Sequence, residues 1–405
     1  MNIRTKRLIF SVVLVLVLAG LIREIVSSLP SGNITIYSGP AGGTYYQMAS
    51  VYKAELTALG YDVVIQPTDS TAKLLENVND SHDPNVVSFM IGRSDETKYP
   101  NIRSLGFVNV QPLFLFYSNA FGRLISLTTL KGRTIVLPPE NSVTAQTALK
   151  LLSLYNISTD NTTIKFLPFR EAIASLKNDD AYALFLMLDA EHSEIVGLMN
   201  DPKISAFSYR DMAGILLKLN DMKQVTIPAG SYDVLRQVPS QPIDLLSGQV
   251  EIIANKNLDK AAAYALLSTF SFLHHSAALA YPMNTYPSFN GLLAKPHEAT
   301  SSYAKGGAPW LYRSLPRSAA VLIDKYLIIG LAILLLTEIY RSLRYLYEFL
   351  ELSAQTLALR TIKKNRQRQQ AGKKIGWLGQ IANRWAEDVI TRQSIQEQAI
   401  EMIKK

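Results

Sequence analysis

The chain has 405 residues, 41 Lys/Arg against 33 Asp/Glu, a formal charge of +8 and no cysteine. That length allows two modest globular domains with additions, and the missing cysteines exclude disulfides, thiolate metal sites and a lipid-modified N-terminal cysteine. The positive charge sits at the ends: thirteen Lys/Arg against six Asp/Glu lie between Arg341 and Lys405, and Arg4, Lys6, Arg7 and Arg23 near the start, which excludes a broad nucleic-acid-binding surface and fits a membrane protein with cytoplasmic ends.

Residues 1–7 read as a cytoplasmic N-terminus, and the charge-free run Leu8–Ile22 as the body of a transmembrane anchor over residues 8–28. An uncleaved anchor is favoured over a cleaved signal peptide. Arg23 and Glu24 follow the apolar run at once, and no small-x-small cleavage site is present.

Next, the short β-branched stretch Ile34–Tyr37 predicts a buried strand. Ser-Gly-Pro-Ala-Gly-Gly-Thr-Tyr-Tyr follows over residues 38–46, and then a helix with Tyr45, Met48, Tyr52, Leu56 and Leu59 on one apolar face. Gly39, Gly42 and Gly43 let a ligand approach the main chain, and the helix start offers unpaired N–H groups to an anion. Val63–Gln66, Val86–Ile91, Leu105–Val110 and Leu113–Tyr117 predict further strands, with a helix over Ala72–Val78. A second series predicts strands at Thr134–Leu137, Thr163–Leu167 and Tyr182–Leu188, with a helix near Ala145–Tyr155. Val250–Ala254 and Ala261–His274 predict a last strand and helix that complete the first lobe. This alternation implies an α/β protein of two lobes, each a parallel sheet between helices.

Ligands of open α/β sheets sit beyond the carboxyl ends of the strands. Three junctions there are rich in small or polar residues: Gly39–Thr44, Thr68–Thr71 and Glu140–Thr144. Three converging helix starts would form an anion cradle, although the second and third, taken singly, read better as ordinary N-caps.

Near the end, Ala319–Tyr340 predicts a transmembrane helix centred on Tyr326–Thr337, with Asp324, Lys325 and Glu338 at its margins. Residues 341–405 form a basic helical tail. Its charge run Arg360–Lys374 suits anionic lipid headgroups, and Trp377, Leu378, Ile381, Trp385, Val389 and Ile400 give an amphipathic pattern suited to the membrane or a partner. No GxSxG elbow, Walker A loop or HExxH helix occurs, so no catalytic residue, cofactor or metal is expected. His192 reads as an exposed helical histidine, His274-His275 as a cationic end to an apolar helix, and His297 as locally structural.

The order of motifs resembles the TAXI family, the extracytoplasmic solute-binding proteins of TRAP-type transporters. The resemblance rests on SGPAGGTYY (38–46), VVSFMIG (86–92), LKGRTIVLPPENSVT (130–144), IPAGSY (227–232) and HEATSSYAKGGAPWLYRSLPRSAAVLID (297–324). It implies a type II periplasmic-binding-protein fold, with one lobe over residues 33–118 and 241–310, the other over 119–240, and a transmembrane helix at 319–340. It also implies a small, carboxylate-bearing solute in the cleft, a TRAP-type permease as partner, a main domain outside the cytoplasmic membrane and no nucleic acid. Gly42, Gly43, Thr44 and Tyr45 are the foremost ligand contacts. Ser70, Thr71, Ser142 and Thr144 are candidate cleft hydroxyls, Arg93 a candidate carboxylate clamp with a surface pair to Asp95 or Glu96 as its alternative, and Tyr232 a candidate wall or packing residue. The chain departs from the family at its second-lobe turn, where Pro138, Pro139, Asn141 and Val143 replace the usual glycines, and after the central strand, where it has Arg93-Ser94-Asp95. A transmembrane sensor or interaction protein built on the same fold is the alternative function.

Overall fold

The computed structural model describes residues 20, 23, 32–68, 70–372 and 374–404, with side chains up to residue 391. The N-terminal segment 1–7 and the anchor expected over 8–28 lie outside the described residues, Gly20 and Arg23 excepted, as does Asp69. The chain forms two compact units, Met1–Leu322 and Ile323–Lys405.

In the first unit, β1 (Asn33–Ser38), α1 (Thr44–Ala58), β2 (Asp62–Pro67), α2 (Thr71–Asn79) and β3 (Val86–Met90) build a parallel block in the order β2-β1-β3. The long strand β4 (Ile102–Ser118) leads to a second block: β5 (Thr134–Leu137), α3 (Val143–Leu154), β6 (Thr163–Phe166), α4 (Phe169–Lys177) and β7 (Ala183–Met187), ordered β7-β5-β6. Next come α5 (Ser193–Met199), β8 (Ile204–Ala206), α6 (Met212–Lys218), β9 (Met222–Ile227) and the long return strand β10 (Ile243–Asn255). The unit closes with α7 (Lys260–Leu273), α8 (Glu298–Gly306) and α9 (Trp310–Ser314).

Sequence alternation implies two sheets, but the strands join in one mixed sheet of ten, β2-β1-β3-β10-β4-β7-β5-β6, with β8 and β9 on β4 and β10. The antiparallel pair β4/β10 welds the blocks together. The two strands expected at Leu105–Val110 and Leu113–Tyr117 are one strand through Pro112. Proline lacks the N–H that a ladder needs on both sides. Pro112 faces Ser247 of β10, while the ladder to β7 begins one residue later at Leu113, so the missing donor costs little.

Two main hydrophobic cores flank this pair, and both long strands serve both. β4 gives Leu105 and Val108 to the first core and Leu113–Tyr117 to the second; β10 gives Val250, Ile252 and Ala254 to the first, and Ile243, Leu245 and Leu246 to the second. In α1 the buried residues Ala49, Tyr52 and Leu56 recur at helical spacing, whereas Leu59, expected on the same face, is exposed as the C-cap. β3 is buried at every position, and its one polar side chain, Ser88, donates to the Tyr37 carbonyl at 3.0 Å.

The first half also buries ionisable groups. Glu251 on β10 is fully buried. One of its carboxyl oxygens accepts from the Leu293 and Ala294 N–H groups, and burial raises its pKa to about 6. His274 contacts the Tyr52 hydroxyl at 2.7 Å, and burial lowers its pKa to about 4. It is therefore neutral near pH 7, contrary to the cationic helix end expected from sequence, because desolvation outweighs the helix dipole. His297 caps α8 by accepting from the Ala299 N–H at 3.2 Å.

The second unit comprises most of α10 (Arg317–Gln370) and α11 (Trp377–Lys404). Among the described helices α10 alone is long and apolar enough, by length and composition, to cross a membrane. Its 54 residues span roughly 80 Å at about 1.5 Å per residue, far more than a hydrocarbon core of about 30 Å. The start of α11 packs back on α10, where Asn365 donates to the Gly379 carbonyl at 3.2 Å and to the Asn383 side-chain oxygen at 3.0 Å. Of the apolar stripe expected from sequence, Trp377, Leu378, Ile381 and Trp385 remain exposed, Val389 is half-buried, and the Ile400 side chain lies outside the described residues.

Candidate functional site

The carboxyl ends of β1, β2, β5, β6 and β7 meet around a cleft of about 170 Å³. This is many times the roughly 10–15 Å³ that one water requires. On one side are the turns entering α1 and α2; on the other are the turn entering α3, Phe169 at the start of α4 and the end of β7. Gln111 of β4 also lines the cleft.

The glycine turn has two backbone requirements. Gly42 adopts φ +89°, a left-handed value that side chains disfavour. Gly43 has an ordinary φ of −81°, but a Cβ there would stand 3.2 Å from the Pro40 carbonyl. Gly43 is the N-cap of α1 and supplies no side-chain acceptor, so this helix start, which lines the cleft with Gly43, Thr44 and Tyr45, carries no side-chain cap. The other two helix starts are capped. Ser70 accepts from the Lys73 N–H at 3.5 Å in α2, and Ser142 from the Ala145 N–H at 3.2 Å in α3. Ser142 is extended, with φ −79°, so the α3 turn needs no left-handed glycine and tolerates Val143.

Seven of the ten residues expected to contact ligand come together on the cleft wall: Gly43, Thr44, Tyr45, Ser70, Thr71, Ser142 and Thr144. The Tyr45 ring stacks on Phe89 at 4.8 Å and its hydroxyl is enclosed without a partner, and burial raises its pKa. Three residues are not on the wall. The Gly42 carbonyl faces His192 instead. Arg93 is exposed in the turn after β3; of its alternative partners, Asp95 caps Thr97 and Lys98, and Glu96 pairs with Lys295 at 2.9 Å. Tyr232 donates to the Ala190 carbonyl at 2.9 Å, fastening the turn after β9 to the segment after β7.

Sequence reasoning missed two functional positions. Gln111 is 4 % exposed and its side-chain nitrogen has no partner; the available signal was an amide, with Asn109 two residues before it, in the apolar run around Pro112. His192, expected to be exposed, is 5 % exposed and caps α5. Its Nδ1 accepts from the Glu194 N–H at 3.2 Å, so the neutral ring carries its proton on Nε2, which donates to the Gly42 carbonyl at 3.1 Å. The Gln47 side-chain Nε2 lies 3.3 Å from the same nitrogen. Two more bonds cross the cleft: the Asp189 N–H donates to Thr44 Oγ1 at 3.3 Å, and the Thr71 N–H to the Asn141 carbonyl at 3.4 Å. The two halves therefore touch on either side of the opening, as in a closed form.

Behind α1 lies a second hollow of about 320 Å³, lined by Asp189, Glu191, His192 and His274. Burial, and then the nearby Asp189, raise the Glu191 pKa. No group of three or more metal-ligating side chains occurs among the described residues.

A model described as the NMT1-like family matches residues 92–304, more than half of the chain. The chain belongs to the NMT1-like family. The match covers β4, the second block and β10, and begins after the glycine turn. No curated protein matches. Among solved structures, an amino acid ABC transporter substrate-binding protein from Streptococcus pneumoniae bound to L-arginine is 14% identical, covering 60% of this chain and 89% of its own, with a TM-score of 0.38. A truncated arginine-bound ArgBP from T. maritima is also 14% identical, covering 60% and 96%, with a TM-score of 0.38. The effector-binding domain of a BenM variant is 10% identical, covering 60% and 94%, with a TM-score of 0.40. At such scores these likenesses assign no ligand to this member of the NMT1-like family.

Proposed function

We propose that this NMT1-like protein is a membrane-tethered extracytoplasmic solute receptor of a TRAP-type (TAXI) transport system. Its two halves close on a small carboxylate-bearing solute, which it presents to a permease. The observation that carries this reading is the cleft at the strand carboxyl ends, lined by Gly43, Thr44 and Tyr45 at the uncapped start of α1. Binding that is stronger in the closed than in the open form suffices for the cycle, without catalysis. The apolar window of α10 supports an anchor, and the basic ends of the chain support cytoplasmic termini with residues 30–318 outside. Thermal unfolding of the full-length chain in lipid nanodiscs, screened with organic and amino acids, should show stabilisation by at least one. Pull-down from a membrane extract should recover a multi-span permease. Failure of both would end this reading.

A second reading, a transmembrane sensor, draws on α10 itself. One unbroken helix runs from residue 317 through the apolar window to residue 370. Deleting residues 350–405 separates the two: uptake survives if the tail is incidental, and a signalling response vanishes if it is the output.

A further inference from the structure

We propose that the cleft selects a monocarboxylate with an apolar body and discriminates against α-amino acids. The inference rests on the solute-binding reading and narrows its ligand.

Its first basis is what the hydroxyls already do. Thr44, Thr68, Ser70, Ser142 and Thr144 each accept a hydrogen bond from a backbone N–H. Their own hydrogens remain to be donated. The uncapped N–H groups of α1 are donors, and so is the unpartnered Gln111 Nε2, enclosed in a residue that is 4 % exposed. The uncommitted polar groups of the wall are thus mostly donors, the complement of an oxyanion held by neutral groups and a helix dipole.

The second basis is charge. Among the described residues lining the cleft there is no Lys, Arg, Asp or Glu. These described residues offer an ammonium group no counter-charge, which is costly away from water. Beside the neighbouring hollow the Asp189 carboxylate is committed: one oxygen accepts from Asn109 at 2.7 Å and the other from the Glu191 N–H at 2.8 Å. The third basis is shape chemistry. Leu74, Pro138, Val143, Phe169, Leu186 and Met187 line the rest of the wall, so the ligand body that replaces water there is hydrocarbon.

The test is calorimetric titration of the full-length protein in nanodiscs with straight-chain monocarboxylates of four to eight carbons. Each is paired with its 2-amino analogue, for example hexanoate with L-norleucine, and with its uncharged amide. At least one carboxylate should bind tenfold or more tightly than both counterparts. Gln111→Glu, which sets a like charge at the donor position, should weaken that carboxylate at least tenfold. Gln111→Leu, isolating the lost donor, should weaken it less. Both variants are compared at matched unfolding midpoints. Equal or tighter binding of the 2-amino acids, or carboxylate affinity indifferent to Gln111→Glu, overturns the inference and leaves solute binding intact. No binding by this panel or by the wider acid screen removes both.

Discussion

The two halves of the first unit share one plan and differ in chemistry. Each has three parallel strands whose helix starts meet the cleft, yet the first offers an uncapped, glycine-rich start at α1, while α3 in the second is closed by Pro138, Pro139 and the Ser142 cap. Their cores differ likewise. The first half has the half-buried His274 against Tyr52 and the buried Glu251 against the Leu293 N–H, whereas the core of the second is dominated by aliphatic side chains and the stacked Phe114 and Phe116. The contrast teaches that the halves meet the cleft with different helix starts: a glycine N-cap at α1 and a serine cap at α3, while α4, with Pro168 at its N-cap, has no side-chain cap either.

The largest effects test whether the halves are thermodynamically separate. Phe116→Ala and Phe89→Ala each remove a fully buried ring from a different core and should each cost about 3–5 kcal/mol. Because β4 and β10 run through both cores, each variant should shift one shared transition of the first unit in denaturant titrations. A transition confined to one half would break the picture of a continuous sheet.

Next comes the pH response of the first half. His274 is neutral when folded, with its pKa near 4 against 6.5 unfolded. Its contribution is therefore complete above about pH 6.5 and is lost as pH falls toward 4, by about 3 kcal/mol. His274→Leu should flatten that part of a stability-versus-pH curve. Glu251 acts in the opposite sense. With a folded pKa near 6 against 4.5, it favours the fold at low pH and loses about 2 kcal/mol as pH rises through 6. Glu251→Gln keeps an acceptor for Leu293 and Ala294 and should remove that slope. Equal slopes in wild type and both variants would erase the contrast between the cores.

The smallest effect sharpens the contrast between the helix starts. Ser142→Ala removes the α3 cap and should cost about 1 kcal/mol by chemical denaturation. The corresponding position in α1, Gly43, has no such cap to lose.

Much of this was legible in the sequence. The first two blocks followed from β-branched runs and helical spacing, and seven of the ten expected contact residues share one wall, because strand-to-helix junctions of an α/β sheet gather at one edge. What escaped depended on distant partners. The strands read separately at Leu105–Val110 and Leu113–Tyr117 are one, because the one-sided pairing of Pro112 is visible only once β7 is in register. His192 and His274 find their partners in Gly42 and Tyr52, more than a hundred residues away. Arg93 showed the converse error, since a position after a central strand does not fix the direction of a side chain.

The β4/β10 pair also limits how the molecule can move. The chain enters the second half along one strand and leaves it along the other, and the two are hydrogen-bonded from Ile102 to Leu113 against Asn255 to Leu246. Two ribbons locked edge to edge bend and twist freely but slide past each other only by breaking their ladder. Any relative motion of the halves must therefore flex this ribbon, and the register shifts at Val250/Glu251 and Ile252/Ile253 mark where it is already irregular. That irregularity lies beside the buried Glu251 carboxyl, whose pKa burial raises to about 6.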